Sequence, residues 1–362
     1  MNIVQLIASL SSGGAERFTV DLSNELSKDN DVSLLTFRDF KTPDFYRPQL
    51  SSHIRQVIYR GNFTLKSKIW HLFVVTYYLI KIKPDVIHTH GIAISYAVIY
   101  ALLRRNVKVY YTVHNLAEHD TNKGLSANVR KILLKRLIHP ITISEMCRKS
   151  FVNFYGYDSY CTIENGCREV SLSDNIEDVR KEVRSYCPSE DTIVYICVAR
   201  VMREKNHAML IEAFNYMVGR GDDIVLLIIG SYDQNTDLKK SLDASIKTSR
   251  IHFLGTRANV PDYLACSDYF CLASLWEGMP ISILEAGKSG CYPICTPVGG
   301  VVDIIKNEKW GMLSKSTYVD DFVEAVDKAN KDRVDRKELM LLYKTRFSIE
   351  KCAADYLKIY LK

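Results

Sequence analysis

A chain of 362 residues is too long for one core of ordinary size and suits two domains. Its composition, 47% hydrophobic and 25% charged, belongs to a folded globular protein and excludes an intrinsically disordered one. The net charge of +6 is uneven: 22 basic against 14 acidic residues over 1–170 leave +8, while 26 against 28 over 171–362 leave −2, so an anionic surface or substrate is expected mainly at the first half.

The first ten residues read as a core strand rather than as a secretion signal, lacking a basic start and a small-residue cleavage site. Apolar, β-rich runs follow at 3–10, 32–37, 54–59, 85–90, 107–114, 141–144 and 161–164, separated by helix-like stretches at 15–26, 66–81, 92–104, 126–137 and 145–154. Strands alternating with helices predict a parallel sheet wound on both faces. The most apolar helix-like run, 69–82, is broken by His71, Thr76 and Lys81 and falls short of the roughly 20 apolar residues of a membrane span.

The rhythm breaks over 168–191, a polar and acidic stretch with Pro188, which marks a domain junction. A second alternating series then places strands at 193–199, 224–229, 251–254, 269–273 and 292–295. The expected architecture is α/β, two doubly wound Rossmann-like domains over 1–170 and 171–345. Residues 346–362 form a last helix expected to pack across the junction, back to the first domain. Ligands of such sheets sit beyond the carboxyl ends of the strands, so two facing domains would line one cleft. The ten scattered cysteines, without a Cys-x-x-Cys pair, read as reduced thiols in a cytoplasmic protein, not as a zinc site.

Gly13 and Gly14 lie between the first strand and its helix, where glycine permits close backbone approach and the helix start offers N–H groups to an anion. A plain tight turn fits them too, and neither G-x-G-x-x-G nor a P-loop is present. Arg200 and Lys205 stand between a strand and a helix, where a phosphate-binding cation pair belongs, although surface cations are common. The most specific signal is Trp276-Glu277-Gly278-Met279-Pro280-Ile281-Ser282-Ile283-Leu284-Glu285. Pro280 suits a first helical turn, which places Glu277 in the loop before the helix and Glu285 inside it, both able to accept from ligand hydroxyls.

With Glu-x7-Glu at Glu277 and Glu285, the cations Arg200 and Lys205, and the glycines Gly13 and Gly14, the chain resembles the retaining glycosyltransferases of the GT-B fold, in the large family 4 group. Ile143-Ser144-Glu145, Glu164-Asn165-Gly166, Phe253-Leu254-Gly255 and Asn259-Val260-Pro261 extend the resemblance over nearly the whole chain. It implies transfer of a sugar from a nucleotide donor, by preference a uridine one, with retained anomeric configuration and no tightly held metal or other cofactor. Arg200 and Lys205 would offset diphosphate charge, Glu285 would hold the ribose and Glu277 the transferred sugar. Backbone N–H groups at Gly14 and in the segment Gly278-Met279-Pro280-Ile281, where Pro280 shapes the turn but has no N–H of its own, would complete the cradle.

The same resemblance makes His114, at the end of a strand, an active-site histidine beside the donor sugar, and sets Arg257 and Val260 by the nucleobase. Arg257 reads equally as an exposed loop arginine. His88 and His90 alternate to one face of their strand, which places at least one of them near the site; structural histidines give the same pattern. Basic segments of the first half (Lys66 and Lys68, Lys81 and Lys83, Arg104 and Arg105, Arg130 and Lys131, Lys135 and Arg136) are interleaved with apolar residues such as Trp70 and Phe73. They suit either an anionic membrane surface near a lipid-linked acceptor or ordinary amphipathic helices. The expected function is a peripheral glycosyltransferase of cell-surface polysaccharide synthesis with a saccharide or lipid-linked acceptor and no nucleic-acid partner. A nucleotide-sugar epimerase, a phosphorylase or a non-catalytic nucleotide-sugar-binding protein are the alternatives.

Overall fold

The computed structural model describes residues 1–37, 44–59, 65–120, 125–232, 236–331 and 334–362. It divides into two compact units, Met1–Arg168 with Ile349–Lys362, and Glu169–Ser348.

The first unit runs β1 (Asn2–Ile7), α1 (Gly14–Leu26), β2 (Asp31–Thr36), β3 (Arg55–Ile58), α2 (Leu65–Ile82), β4 (Val86–His90), α3 (Ile94–Leu103), β5 (Lys108–Val113), α4 (Ala117–Asp120), α5 (Leu125–Arg136), β6 (His139–Thr142), α6 (Glu145–Tyr155) and β7 (Cys161–Thr162). Its strands pair in parallel in the order β3-β2-β1-β4-β5-β6-β7. The order reverses direction at β1, so β1, β4 and β5 lie side by side with Gln5 opposite His88 and His90 opposite Thr112. Because both faces are covered, β1 and β4 are apolar or buried nearly throughout, as a doubly wound sheet demands. Val4, Leu6, Ile87 and Val109 from the strands pack with Ala97 and Tyr100 of α3 and Phe151 of α6. Each such large aliphatic or aromatic side chain contributes about 1.5–3 kcal/mol when removed from water.

The second unit runs α7 (Ile176–Ser185), β8 (Ile193–Val198), α8 (His207–Gly219), β9 (Ile224–Ile229), α9 (Asp237–Ser245), β10 (Ile251–Gly255), α10 (Val260–Ala265), β11 (Tyr269–Leu272), α11 (Ile281–Lys288), β12 (Tyr292–Cys295), α12 (Val301–Ile304), β13 (Met312–Leu313), α13 (Val319–Lys331) and α14 (Arg336–Arg346). The sheet is parallel in the order β10-β9-β8-β11-β12-β13, the doubly wound pattern expected of an alternating sequence. The polar stretch that breaks the rhythm is not all linker: Val179 and Val183, four residues apart, are buried on one face of α7, which a mostly charged segment of ten residues disguises.

The last helix, α15 (Ile349–Tyr360), belongs to the first unit. It buries Ile349, Cys352, Ala353, Tyr356, Ile359 and Tyr360. The β5 side chains bind its last carbonyls, Tyr110 Oη donating to Ile359 O at 2.6 Å and Lys108 Nζ to Tyr360 O at 3.0 Å, which satisfies acceptors that a helix end leaves without partners. All ten cysteines are free and buried or half-buried. No described helix is long and apolar enough to cross a membrane.

Candidate active site

In the second unit the chemistry collects beyond the carboxyl ends of the adjacent strands β8, β11 and β12. Arg200 follows β8 by two residues and is exposed, with no side-chain hydrogen bond or ion pair among the described residues. The chain there is held by Gly230 at the end of β9: a Cβ on that glycine would stand 1.9 Å from Ala199 O, so only hydrogen fits. Lys205 closes a short 3₁₀ turn before α8, with Asn206 in the left-handed region at φ 49°.

Lys205 Nζ lies 2.5 Å from Glu277 Oε1. The same oxygen accepts from Ser274 Oγ at 2.6 Å, and Ser274 O in turn accepts from Thr296 Oγ1 at 2.7 Å. Leu275 N donates to Glu204 O at 2.8 Å, tying the loop after β11 to the loop after β8. Glu277 is only 7% exposed; a carboxylate so buried requires its cation and its hydroxyl donor. Two predicted site residues from different motifs are therefore one ion pair. A carboxylate that would grip a sugar is bound to a cation that would grip a phosphate, and Lys205 and Ser274 share its Oε1.

Gly278, Met279, Pro280 and Ile281 are buried and carry the chain into α11. Pro280 is the residue before the helix, extended at φ −71° and ψ 120°, rather than part of its first turn, and no side chain caps the helix there. The N–H groups of that turn lack intrahelical acceptors. Glu285 lies four residues beyond Ile281, just over one turn along, half-buried. Two glycines absent from the sequence-level site support this loop. Gly300 N donates to Gly278 O at 2.8 Å. A Cβ on Gly299, at φ +50°, would stand 1.8 Å from Glu277 O. His207, the first residue of α8, is also new to the site: burial and then the Lys205 charge push its pKa down to about 4, and its Nδ1 has no partner among the described residues. Its place two residues after Lys205 was the available signal.

Arg257 is not a loose loop arginine. Its Nη2 lies 3.2 Å from Glu182 Oε1 and its Nε donates to Tyr263 Oη at 3.0 Å, while Tyr263 Oη donates to Glu182 Oε2 at 2.6 Å. Val260, half-buried, opens α10 after Asn259, whose Nδ2 donates to Asp262 Oδ2 at 3.0 Å.

In the first unit Gly13 precedes α1 and Gly14 begins it. A Cβ on Gly13 would meet the Glu16 carboxylate at 2.3 Å, whereas nothing lies within 4 Å of the corresponding position on Gly14, leaving open space at the helix start. His114, just past β5, is half-buried, and burial pushes its pKa down to about 3. Its Nε2 lies 2.9 Å from His90 Nδ1, and His90 Nε2 lies 2.8 Å from Gln5 Oε1. His88 does face the same side as His90, their ring centroids 4.3 Å apart, and bonds Thr112 Oγ1 and Tyr360 Oη at 2.7 Å each. Burial holds both imidazoles well below their usual range. Gln5, Thr112 and Tyr360 carry no sequence motif; only the strand order and the docked helix reveal them. No group of three or more potential metal ligands occurs among the described residues.

One cluster of the expected basic surface is corrected. Arg130 is turned inward, with its Nη2 2.5 Å from Asp120 Oδ2 and bonded to Tyr111 Oη, so it is unavailable to a surface. The side chains of Lys66 and Lys68 lie outside the described residues.

Two doubly wound units, each built on a parallel sheet, define a protein of the GT-B class, and the comparisons agree. The fold of Anabaena HepE, solved in complex with UDP and glucose, matches with a TM-score of 0.83 over 99% of both chains at 18% identity. Residues 12–168 match the family model described as Glycosyltransferase Family 4, and residues 178–344 the model described as Glycosyl transferases group 1. The chain belongs to the family 4 glycosyltransferases and is a glycosyltransferase. Among its relatives, the Escherichia coli UDP-Gal:alpha-D-GlcNAc-diphosphoundecaprenol alpha-1,3-galactosyltransferase is 28% identical over 268 residues, 70% of this chain and 68% of the relative. A Campylobacter jejuni alpha-1,4-N-acetyl-D-galactosaminyltransferase, named for a GalNAc-containing diNAcBac-PP-undecaprenol acceptor, is 24% identical over 99% of this chain and 98% of its own.

Proposed function

We propose that the protein transfers a sugar, with retained anomeric configuration, from a uridine diphosphate donor to a hydroxyl of an undecaprenyl-diphosphate-linked saccharide, in the synthesis of a cell-surface polysaccharide. The observation that carries this reading is the exposed, unpaired Arg200 beside the Lys205–Glu277 pair at the strand ends of the second unit. The acceptor class is supported by the names of the two bacterial relatives, and the uridine donor by the HepE complex and the galactosyltransferase.

In the step proposed, the bond between the anomeric carbon and the diphosphate oxygen breaks and the acceptor oxygen bonds to that carbon on the same face. The acceptor proton passes to the departing phosphate. Arg200 and Lys205 offset the charge that develops there, without a metal. Glu277 accepts from hydroxyls of the sugar, Glu285 from the ribose, and His114 orients a sugar hydroxyl. Arg257 and Val260 meet the nucleobase, and the N–H groups near Gly13, Gly14 and Gly278 to Ile281 line the anion. The test is mass analysis after incubation with a panel of nucleotide sugars and an undecaprenyl-diphosphate saccharide, with the anomeric configuration of the product read by NMR. The expected product is the acceptor plus one sugar in the donor's configuration; inversion, or free sugar alone, overturns the mechanism.

The same reading places the first unit at an anionic membrane through α2. Ile69, Trp70, Phe73, Tyr77 and Ile80 recur at helical spacing and are 45–58% exposed, beside exposed Leu102 and Leu103 at the end of α3. Lys81, Lys83, Arg104 and Arg105, all exposed, rim this apolar stripe, an arrangement suited to a helix lying in the lipid interface. Sedimentation with phosphatidylglycerol vesicles is expected at low salt and weakens as salt rises. Trp70→Ser with Phe73→Ser should abolish it; equal sedimentation of that variant rules the surface out.

A further inference from the structure

We infer that His90 is a positioning residue for His114, holding it as the Nε2–H tautomer so that its Nδ1 lone pair is the atom left to receive a hydrogen bond from the substrate. This rests on the reading that His114 meets the sugar, and adds which atom does so and what sets it.

The three groups come from three strands brought side by side: Gln5 from β1, His90 from the end of β4, and His114 just past β5. Gln5 is fully buried and His90 1% exposed, so each polar atom needs a partner. Gln5 Oε1 can only accept, so His90 Nε2 at 2.8 Å carries the hydrogen. A neutral imidazole has one N–H, which leaves His90 Nδ1 an acceptor. His114 Nε2, 2.9 Å away, must then donate to it, and His114 Nδ1 is bare. No hydrogen bond reaches that Nδ1 among the described residues.

Turning the Gln5 amide over would reverse every role in the chain. In the structure the amide stands with Oε1 2.8 Å from His90 Nε2, while Gln5 Nε2 is buried without a hydrogen-bond partner among the described residues; the native tautomer of His114 reports which way the amide is turned. Neither histidine can accept the reversal by charging, because burial holds both neutral. The rings are fixed as well as the protons: Phe18 packs edge-on against His90 and His114, with centroids 6.2 and 5.7 Å away. A bare Nδ1 accepts from a hydroxyl, while the opposite tautomer would reverse that bond and make the hydroxyl oxygen the acceptor, turning its proton away from the imidazole.

The test is long-range ¹H–¹⁵N NMR of the full chain labelled at histidine, which reads each tautomer without any substrate, together with transfer kinetics. In the native protein His90 and His114 should both be protonated at Nε2. His90→Leu should release His114 into a mixture of tautomers and lower kcat about tenfold to a hundredfold, with donor KM within about twofold. His90→Asn, whose Oδ1 stands near the place of Nδ1, should keep the tautomer and recover most of the rate. Gln5→Met removes the first acceptor with little change of shape and carries the test should His90→Leu not fold. A native His114 protonated at Nδ1, or a tautomer unchanged in both His90→Leu and Gln5→Met, overturns the inference whatever the enzyme transfers. A tautomer that shifts while kcat does not would uphold the positioning and overturn the role given to His114.

Discussion

The strand ends of the two units solve the same problem, polar side chains held out of water, in opposite ways. In the first unit, Gln5, His88, His90, Thr112 and Tyr360 are linked by hydrogen bonds without charge, and burial keeps the imidazoles neutral. In the second, charge is retained: Lys205 and Glu277 are a close pair, braced by Ser274, with Arg200 exposed beside them. A neutral network supplies direction, because each donor and acceptor is assigned by its neighbour. An ion pair supplies potential, at the cost that either partner left alone is a buried charge. In the proposed reaction, orientation would fall to the first unit and charge stabilisation to the second.

The sharpest way to break this contrast is to remove the charges. Arg200→Ala and Lys205→Ala should each lose about 2–4 kcal/mol of transition-state stabilisation, read as kcat/KM. Only Lys205→Ala should also lower Tm, since it strands Glu277 while Arg200 has no partner to strand. Near-native kcat/KM in both variants removes the assignment.

The glutamates come next. Glu285→Gln should weaken binding of uridine diphosphate by about 1.5–3 kcal/mol in calorimetric titration. Glu277→Gln should slow transfer more than it weakens that binding; the opposite pattern would exchange their roles. Gly299→Ala, whose Cβ meets Glu277 O at 1.8 Å, should cost about 1–3 kcal/mol of stability and slow transfer by shifting the Glu277 loop. A variant with native Tm and native rate would show that the loop yields freely.

Acid should distinguish the units by their histidines. Unfolded histidine takes up a proton near its ordinary 6.5, whereas folded His114 waits until about 3 and folded His207 until about 4. The folded state binds fewer protons in between, so stability is full above about pH 6.5 and falls as the pH drops toward 4. Tm measured from pH 7.5 to 5 should decline, and less steeply in His207→Gln; an unchanged slope there refutes the contribution of that residue. The smallest expected effect is that of a chelator, which should leave transfer intact if, as proposed, Arg200 and Lys205 offset the diphosphate charge. Complete loss restored by magnesium or manganese would assign that task to a metal instead.

Much of this was legible in the sequence, because it depends on local pattern. Buried parallel strands must be apolar runs, and the helices between them must be amphipathic, so the two doubly wound sheets announce themselves without a partner in view. Glu277, Glu285, Arg200 and Lys205 stand out as candidates by their places beside strand ends and by the resemblance that their motifs carry. The helix α7 escaped because its apolar contribution is two valines among charges.

Tertiary structure alone decided which of these residues meet. Lys205 and Glu277 are 72 positions apart, and His90 and Gln5 are 85 apart. They are joined because β8 lies against β11, and β4 against β1. Gly230 and Gly299 look like any loop glycine until a carbonyl from a neighbouring loop fills the place of their Cβ. A parallel sheet orders its strands by packing both faces and not by chain succession, so the identity of each neighbour, and with it every hydrogen bond between strand ends, exists only once the sheet has formed.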